Sequence, residues 1–114
     1  MNLNQVVELL NSKVITNNYN PDKNIQKGIA SDLMSDVLTI DVADSLLMTG
    51  LSNLQTIRTA QMAEIGVIVI ARNKIVAKEM IELAEENHII LLECRYSLFK
   101  SAGILYGNGL ESVY

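Results

Sequence analysis

Hydrophobic and polar residues follow two different patterns along this chain. Near its start, Leu3, Val6, Val7 and Leu10 recur at the i, i+3, i+4, i+7 spacing of one helical face, which predicts a short amphipathic helix. Later, the uninterrupted apolar runs at 67–70 and 89–92 are typical of strands that are buried on both faces, as in a parallel sheet covered by helices.

The rest of the pattern alternates between strands and helices. Further strands are predicted at 13–16, 28–30 and 45–48, and helices at 31–38, about 53–65, 75–86 and 97–106. Ser31 and Ser97 are the expected N-caps of two of these helices. Residues 17–24 contain the only proline and form the one obvious loop. This alternation predicts a three-layer α/β/α domain with a mostly parallel sheet of about four or five strands.

Composition limits the classes of protein that remain possible. At 114 residues the chain is one domain, spanning 1–114, and a content of 49% hydrophobic and 19% charged residues excludes intrinsic disorder. The net charge of −4 argues against nucleic acid as a partner. One cysteine excludes a disulfide framework, and no apolar run approaches the ~20 residues of a membrane span. The N-terminal segment lacks the basic start of a signal peptide, so we expect a cytoplasmic protein. With one cysteine and one histidine, a zinc site would need carboxylates to complete it, and we expect neither a metal nor a cofactor.

Polar pairs follow four of the predicted strands: Ser31-Asp32, Thr49-Gly50, Arg72-Asn73 and Cys94-Arg95. Ligands of open parallel sheets bind at the carboxyl ends of the strands, where arginines, backbone N–H groups and helix N-termini favour an anion or a nucleotide phosphate. In such a site Thr49, Gly50, Arg72 and Arg95 would hold the ligand, and Ser31 and Asp32 would form one wall. The alternative is that these loops are polar only because such loops are polar in almost any α/β domain.

Catalytic chemistry finds less support. Asp32 and Asp36, four residues apart, would share a helical face and could hold Mg²⁺, but the favoured interpretation is that Ser31 caps the helix and Asp32 faces its positive end. Cys94 is best interpreted as a small buried hydrophobe and His88 as a loop residue. Neither a nucleophile–base pair nor a phosphate-binding G-x-x-x-x-G-K-[ST] loop is present, so we expect no enzymatic activity.

One stretch carries a family resemblance. Residues 28–37, GIASDLMSDV, follow the G-x-x-S-D-L-L-S-D-V pattern of DRTGG domains, and 47–53, 66–70 and 97–106 match that family too. From about Asn24 onward the chain therefore resembles a DRTGG domain, a family similar in fold to the N-terminal domains of HPr kinase/phosphorylase and of Mur ligases. The segment that gives the family its name differs here. Asp22 and Gly28 match its Asp and its final Gly, whereas Lys23, Gln26 and Lys27 replace the Arg, the Thr and the first Gly.

The resemblance implies a regulatory or ligand-binding module, often dimeric and often attached to enzymes or to CBS domain pairs. We therefore expect a stand-alone, non-catalytic regulatory domain that binds a nucleotide or a phosphorylated metabolite and forms a homodimer. The alternative is an interaction module for a partner enzyme, such as a redox or hydrogenase complex, because relatives of this size are similar to proteins encoded beside such enzymes.

Overall fold

A computed structural model describes residues 1–114 and has a six-stranded sheet between two layers of helices. The helices are α1 (Leu3–Leu9), α2 (Met34–Thr39), α3 (Leu54–Met62), α4 (Lys78–Glu86) and α5 (Leu98–Gly107). The strands are β1 (Lys13–Val14), β2 (Lys27–Ala30), β3 (Leu46–Thr49), β4 (Val67–Ile70), β5 (Ile90–Glu93) and β6 (Glu111–Ser112). The predicted α/β/α architecture is confirmed.

The sheet has the strand order β1-β5-β4-β3-β2-β6. Five strands are parallel, from β5 through β6, and only the short edge strand β1 runs antiparallel to its neighbour. Strand β6 was not predicted from the sequence, because two exposed residues, Glu111 and Ser112, carry no apolar pattern. The sheet therefore has one strand more than the upper limit we expected.

The two faces of the sheet bury two separate cores. In β4, Val67 and Val69 face α1 and α5, whereas Ile68 and Ile70 face α2, α3 and α4. All four of these side chains are buried, which is why the strand reads as a continuous apolar run. Because helices cover both faces of the central strands, the ends of these strands are the accessible part of the sheet.

Helix boundaries were predicted less well. Ser97 caps α5, since its side chain accepts a hydrogen bond from the Lys100 amide, as expected. The prediction for Ser31 was wrong: α2 begins only at Met34, and its N-cap position is Leu33, which provides no side-chain cap. Likewise α4 begins at Lys78 rather than at residue 75, since Ile75 lies in the preceding loop with its side chain 90% exposed.

Candidate functional site

The loops that follow β2, β3, β4 and β5 lie along one edge of the sheet, because these four strands are parallel. This edge carries the residues predicted for a ligand site. Four of them, Asp32, Thr49, Gly50 and Arg72, are in direct contact with one another. We call these four residues the Asp32 cluster.

The carboxylate of Asp32 is the centre of the cluster. Its Oδ1 accepts hydrogen bonds from the backbone N–H of Gly50 at 2.7 Å and from Oγ1 of Thr49 at 3.0 Å. The Gly50 bond is the main reason that the pKa of Asp32 lies below its usual 3.8; desolvation opposes this shift, and Thr49, Arg72 and Lys74 add to it. Asp32 is therefore a stable anion that joins the loop after β2 to the loop after β3.

Arg72 lies across the same loop. Its backbone adopts a left-handed conformation, with φ of 68°, and Asn73 follows with φ of 55°. The N–H of Arg72 donates to the carbonyl of Tyr96, and its Nη2 lies 3.4 Å from the carbonyl oxygen of Gly50 and 3.7 Å from Oδ2 of Asp32. A Cβ added at Gly50 would lie only 2.4 Å from Nε of Arg72. Glycine at this position therefore leaves the space that the guanidinium fills.

Ser31 lies beside the cluster without joining it. Its backbone N–H donates to the carbonyl of Met48, and its hydroxyl exchanges hydrogen bonds with the backbone of Leu33. Since α2 begins after Asp32, the prediction that Asp32 and Asp36 share a helical face is wrong, and so is the interpretation of Asp32 as a helix-end charge. The loop holds Asp32 back toward β3 instead.

Arg95 is exposed in the loop next to that of Arg72 and lines a different part of the edge. A polar groove of about 630 Å³ lies there between the loops after β4 and β5 and the start of β1. Its charged side chains are Lys13, Lys74, Glu93 and Arg95. Lys74, which lines this groove, also helps to lower the pKa of the Asp32 carboxyl.

This edge concentrates positive charge on an acidic protein. Lys13, Arg72, Lys74 and Arg95 are four of the nine basic residues of the chain, and only Asp32 and Glu93 oppose them here. Sequence reasoning missed Lys13 and Lys74. Lys74 could have been found because it follows Arg72 in the same loop, whereas Lys13 reaches the groove only through the antiparallel pairing of β1 with β5.

Two other candidates from the sequence, Cys94 and His88, lie outside the Asp32 cluster. Cys94 is 2% exposed, with its Sγ 3.5 Å from both the carbonyl of Leu10 and the hydroxyl of Ser101, which agrees with its interpretation as a buried hydrophobe. His88 lies in the turn between α4 and β5 with φ of 59°. No group of three or more His, Cys, Asp or Glu side chains is close enough to hold a metal ion.

A second concave surface lies on the face of the sheet that α5 covers, beside β2. It is an apolar groove of about 460 Å³ between α5, β2 and the C-terminal segment. It is lined by Gly28 and Ala30 of β2 and by the aromatic residues Phe99, Tyr106 and Tyr114. These three aromatic residues are 91%, 71% and 86% exposed. We call this surface the aromatic groove.

Comparison with known proteins supports the fold and little beyond it. No protein-family model matches the chain, and no curated protein matches its sequence. The structure is similar to the crystal structure of the CBS and DRTGG domains of the regulatory region of Clostridium perfringens pyrophosphatase, which was determined with its activator diadenosine tetraphosphate. The TM-score is 0.77 at 13% identity; the match covers 91% of this chain and 45% of that one.

The chain thus spans less than half the length of that pyrophosphatase region and shares its fold in the matched part. The likeness agrees with the fold that the DRTGG resemblance implied, and the similar protein is a regulatory region rather than a catalytic one. In addition, none of the five helices is both long and apolar enough to cross a membrane.

Proposed function

We propose that this chain is a non-catalytic regulatory domain of DRTGG type that binds a small anionic ligand, a nucleotide or a phosphorylated metabolite, at the carboxyl edge of its sheet. The observation that carries the proposal is a polar groove lined by Lys13, Lys74 and Arg95, at the same edge of the sheet as the Asp32 cluster that contains Arg72. A volume of about 630 Å³ lies within the ~300–1,000 Å³ of small-molecule sites. The similar pyrophosphatase region was crystallised with an activator that is itself a nucleotide polyphosphate.

The Asp32 cluster determines which groups can hold such a ligand. The amide of Gly50 and the hydroxyl of Thr49 already donate to Asp32, so they contribute by fixing the shape of the loop. The side chain of Arg72 is 45% exposed and has five N–H donors, and within the cluster only its Nη2 contacts Gly50 and Asp32. The ligand's phosphate is therefore held by Arg72 and Arg95, with Asp32 and Ser31 forming the wall beside it.

A thermal-shift series tests this proposal. The purified chain is heated with mononucleotides, dinucleotides and phosphorylated metabolites, and a ligand at ~100 times its dissociation constant adds about 2.7 kcal/mol of stability, a shift of several degrees. Arg72→Ala and Arg95→Ala are expected to reduce the shift strongly. Arg58→Ala, which removes an exposed arginine of α3 that belongs neither to the groove nor to the Asp32 cluster, is the matched control and is expected to leave the shift unchanged.

Two results would refute the ligand site. One is a flat response of the wild-type chain to all the phosphorylated compounds tested. The other is a shift that survives in both Arg72→Ala and Arg95→Ala, since this would locate the ligand away from the carboxyl edge.

A second candidate function is a protein-interaction module for a partner enzyme, such as a redox or hydrogenase complex. The observation that favours it is the aromatic groove, whose three exposed rings have no role at the carboxyl edge. Under this alternative the chain ignores small anions and loses its function when Phe99 or Tyr106 is replaced. Thermal shifts and binding measurements on the same variants therefore separate the two candidates.

A further inference from the structure

Another polar groove lies at the opposite edge of the sheet from the Asp32 cluster. Its volume is about 480 Å³, and it is formed by residues 23–27, at the start of β2, and by residues 43–45, just before β3. Because β2 and β3 are parallel, the segments that lead into them meet at the amino end of the sheet. We call this surface the amino-edge groove; its polar lining residues are Lys23, Asn24, Gln26, Lys27, Asp44 and Ser45.

Two lysines give the amino-edge groove its charge. Neither Lys23 nor Lys27 forms an ion pair within the chain, although the carboxylate of Asp44 belongs to the same groove. The side chain of Lys23 extends past the backbone of Gly66, where an added Cβ would lie 3.3 Å from its Cε. The groove therefore contains two ammonium groups and one carboxylate, a net positive charge on an acidic protein.

Ser45 provides an independent sign of a ligand. The residue is only 5% exposed and lines the groove, yet its hydroxyl makes no hydrogen bond within the chain. Unlike the partnerless hydroxyl of Thr59, that of Ser45 is not sealed inside the core. A nearly buried hydroxyl needs a hydrogen-bond partner, and here the partner has to come from the groove.

From these contacts we infer that the amino-edge groove is a second anion site, which takes the phosphate group of a phosphorylated small molecule. Lys23 and Lys27 neutralise the phosphate, and the hydroxyl of Ser45 donates a hydrogen bond to one of its oxygens. The side-chain amides of Asn24 and Gln26 are further donors in the same groove. The inference does not rest on the ligand proposed at the carboxyl edge.

The charges of the groove select this ligand. A phosphate monoester carries about two negative charges and three terminal oxygens, which match two lysines and a hydroxyl better than the single charge of a carboxylate does. A divalent cation needs several oxygen ligands, whereas this groove has one carboxylate, Asp44, beside two lysines. The volume of about 480 Å³ leaves room for the organic part of the ligand.

Backbone amide NMR of the full chain, titrated with inorganic phosphate at constant ionic strength, tests the inference. Phosphate is expected to shift the amides of residues 23–27 and 43–45 until they saturate. Lys23→Gln and Lys27→Gln should each weaken this binding roughly fivefold. Lys78→Gln removes an exposed lysine of α4 that lines neither polar groove, so it is the matched control and should bind phosphate like the wild type.

Two further variants separate a built site from a surface that is merely positive. Ser45→Ala should weaken phosphate binding about threefold without lowering the stability of the free chain, because its hydroxyl has no partner to lose. Asp44→Asn should tighten phosphate binding, since it removes the only carboxylate of the groove. A cation site would respond to Asp44→Asn in the opposite sense.

The inference is overturned if phosphate leaves the amides at 23–27 and 43–45 unshifted, or if the lysine variants and Ser45→Ala bind it like the wild type. Shifts that appear only near Asp32, Gly50 and Arg72 would also overturn it, while supporting the site proposed at the carboxyl edge. Shifts that stay at the amino edge when Arg72 is replaced by Ala support the second site on its own. The two proposals can therefore fail separately.

Discussion

Asp32 provides the most direct test of the architecture of the carboxyl edge. Replacing it with Asn keeps the shape of the side chain but removes the charge that Gly50, Thr49 and Arg72 surround. Replacing it with Ala leaves the buried N–H of Gly50 without its partner. Both changes should destabilise the fold, and the alanine variant more than the asparagine variant.

The magnitude follows from the contacts. A hydrogen bond to a charged group contributes about 1.5–3 kcal/mol, but the Asp32 side chain is 39% exposed, so water reduces that value. We expect Asp32→Asn to cost about 1 kcal/mol and Asp32→Ala about 2 kcal/mol at pH 7. In a domain of this size, each kcal/mol corresponds to roughly 3–6 °C in Tm.

The pH dependence has a definite sign. The folded-state pKa of Asp32 is lowered, first of all by the Gly50 amide, so its contribution to stability is complete above the unfolded pKa of ~3.9. The contribution is lost as the pH falls through the folded value. The stability difference between the wild type and Asp32→Asn should therefore be constant from pH 5 to 7 and shrink below about pH 4.

Urea unfolding at several pH values measures this difference. Asp36→Asn is the control, because Asp36 is a nearby aspartate whose carboxylate makes no hydrogen bond within the chain. This variant should lose only a few tenths of a kcal/mol of stability. This role of Asp32 is refuted if both variants lose the same stability at pH 7. It is refuted equally if the gap between wild type and Asp32→Asn persists at pH 2.5.

Two smaller predictions concern single contacts. Gly50→Ala displaces the Arg72 guanidinium and should therefore cost less than about 1 kcal/mol of stability, the value of an exposed ion pair. In urea unfolding, the double variant Gly50→Ala/Arg72→Ala should be almost as stable as Arg72→Ala alone. Fully additive losses in the double variant would contradict the contact between these two residues. Thr59→Val removes a hydroxyl that is fully buried and has no hydrogen-bond partner, so it should stabilise the fold by about 1 kcal/mol. A loss of stability in thermal unfolding would contradict this prediction.

The sequence predicts the buried part of this fold well because burial on both faces leaves a strong signal. The runs at 67–70 and 89–92 correspond to β4 and β5, with the second strand one residue later than predicted. Polar and short elements leave no comparable signal. Strand β6 exists because Glu111 and Ser112 pair with Lys27 and Gly28 of β2, a long-range contact that local pattern does not encode. The start of α2 lies later than predicted for the same reason. Ser31 and Asp32 form hydrogen bonds with the end of β3, with Gly50 and with Leu33, and they do not belong to the helix.

The position of Asp32 shows why a site is harder to predict than a sheet. Residue order placed Asp32, Thr49, Gly50 and Arg72 after parallel strands, and their convergence follows from that topology alone. Their pairing does not, because it depends on which donor lies nearest to the carboxylate once the loops are folded. The Gly50 amide is committed to Asp32, so the proposed anion site depends on the side chains of the adjoining groove, of which Lys13 and Lys74 come from outside the predicted set.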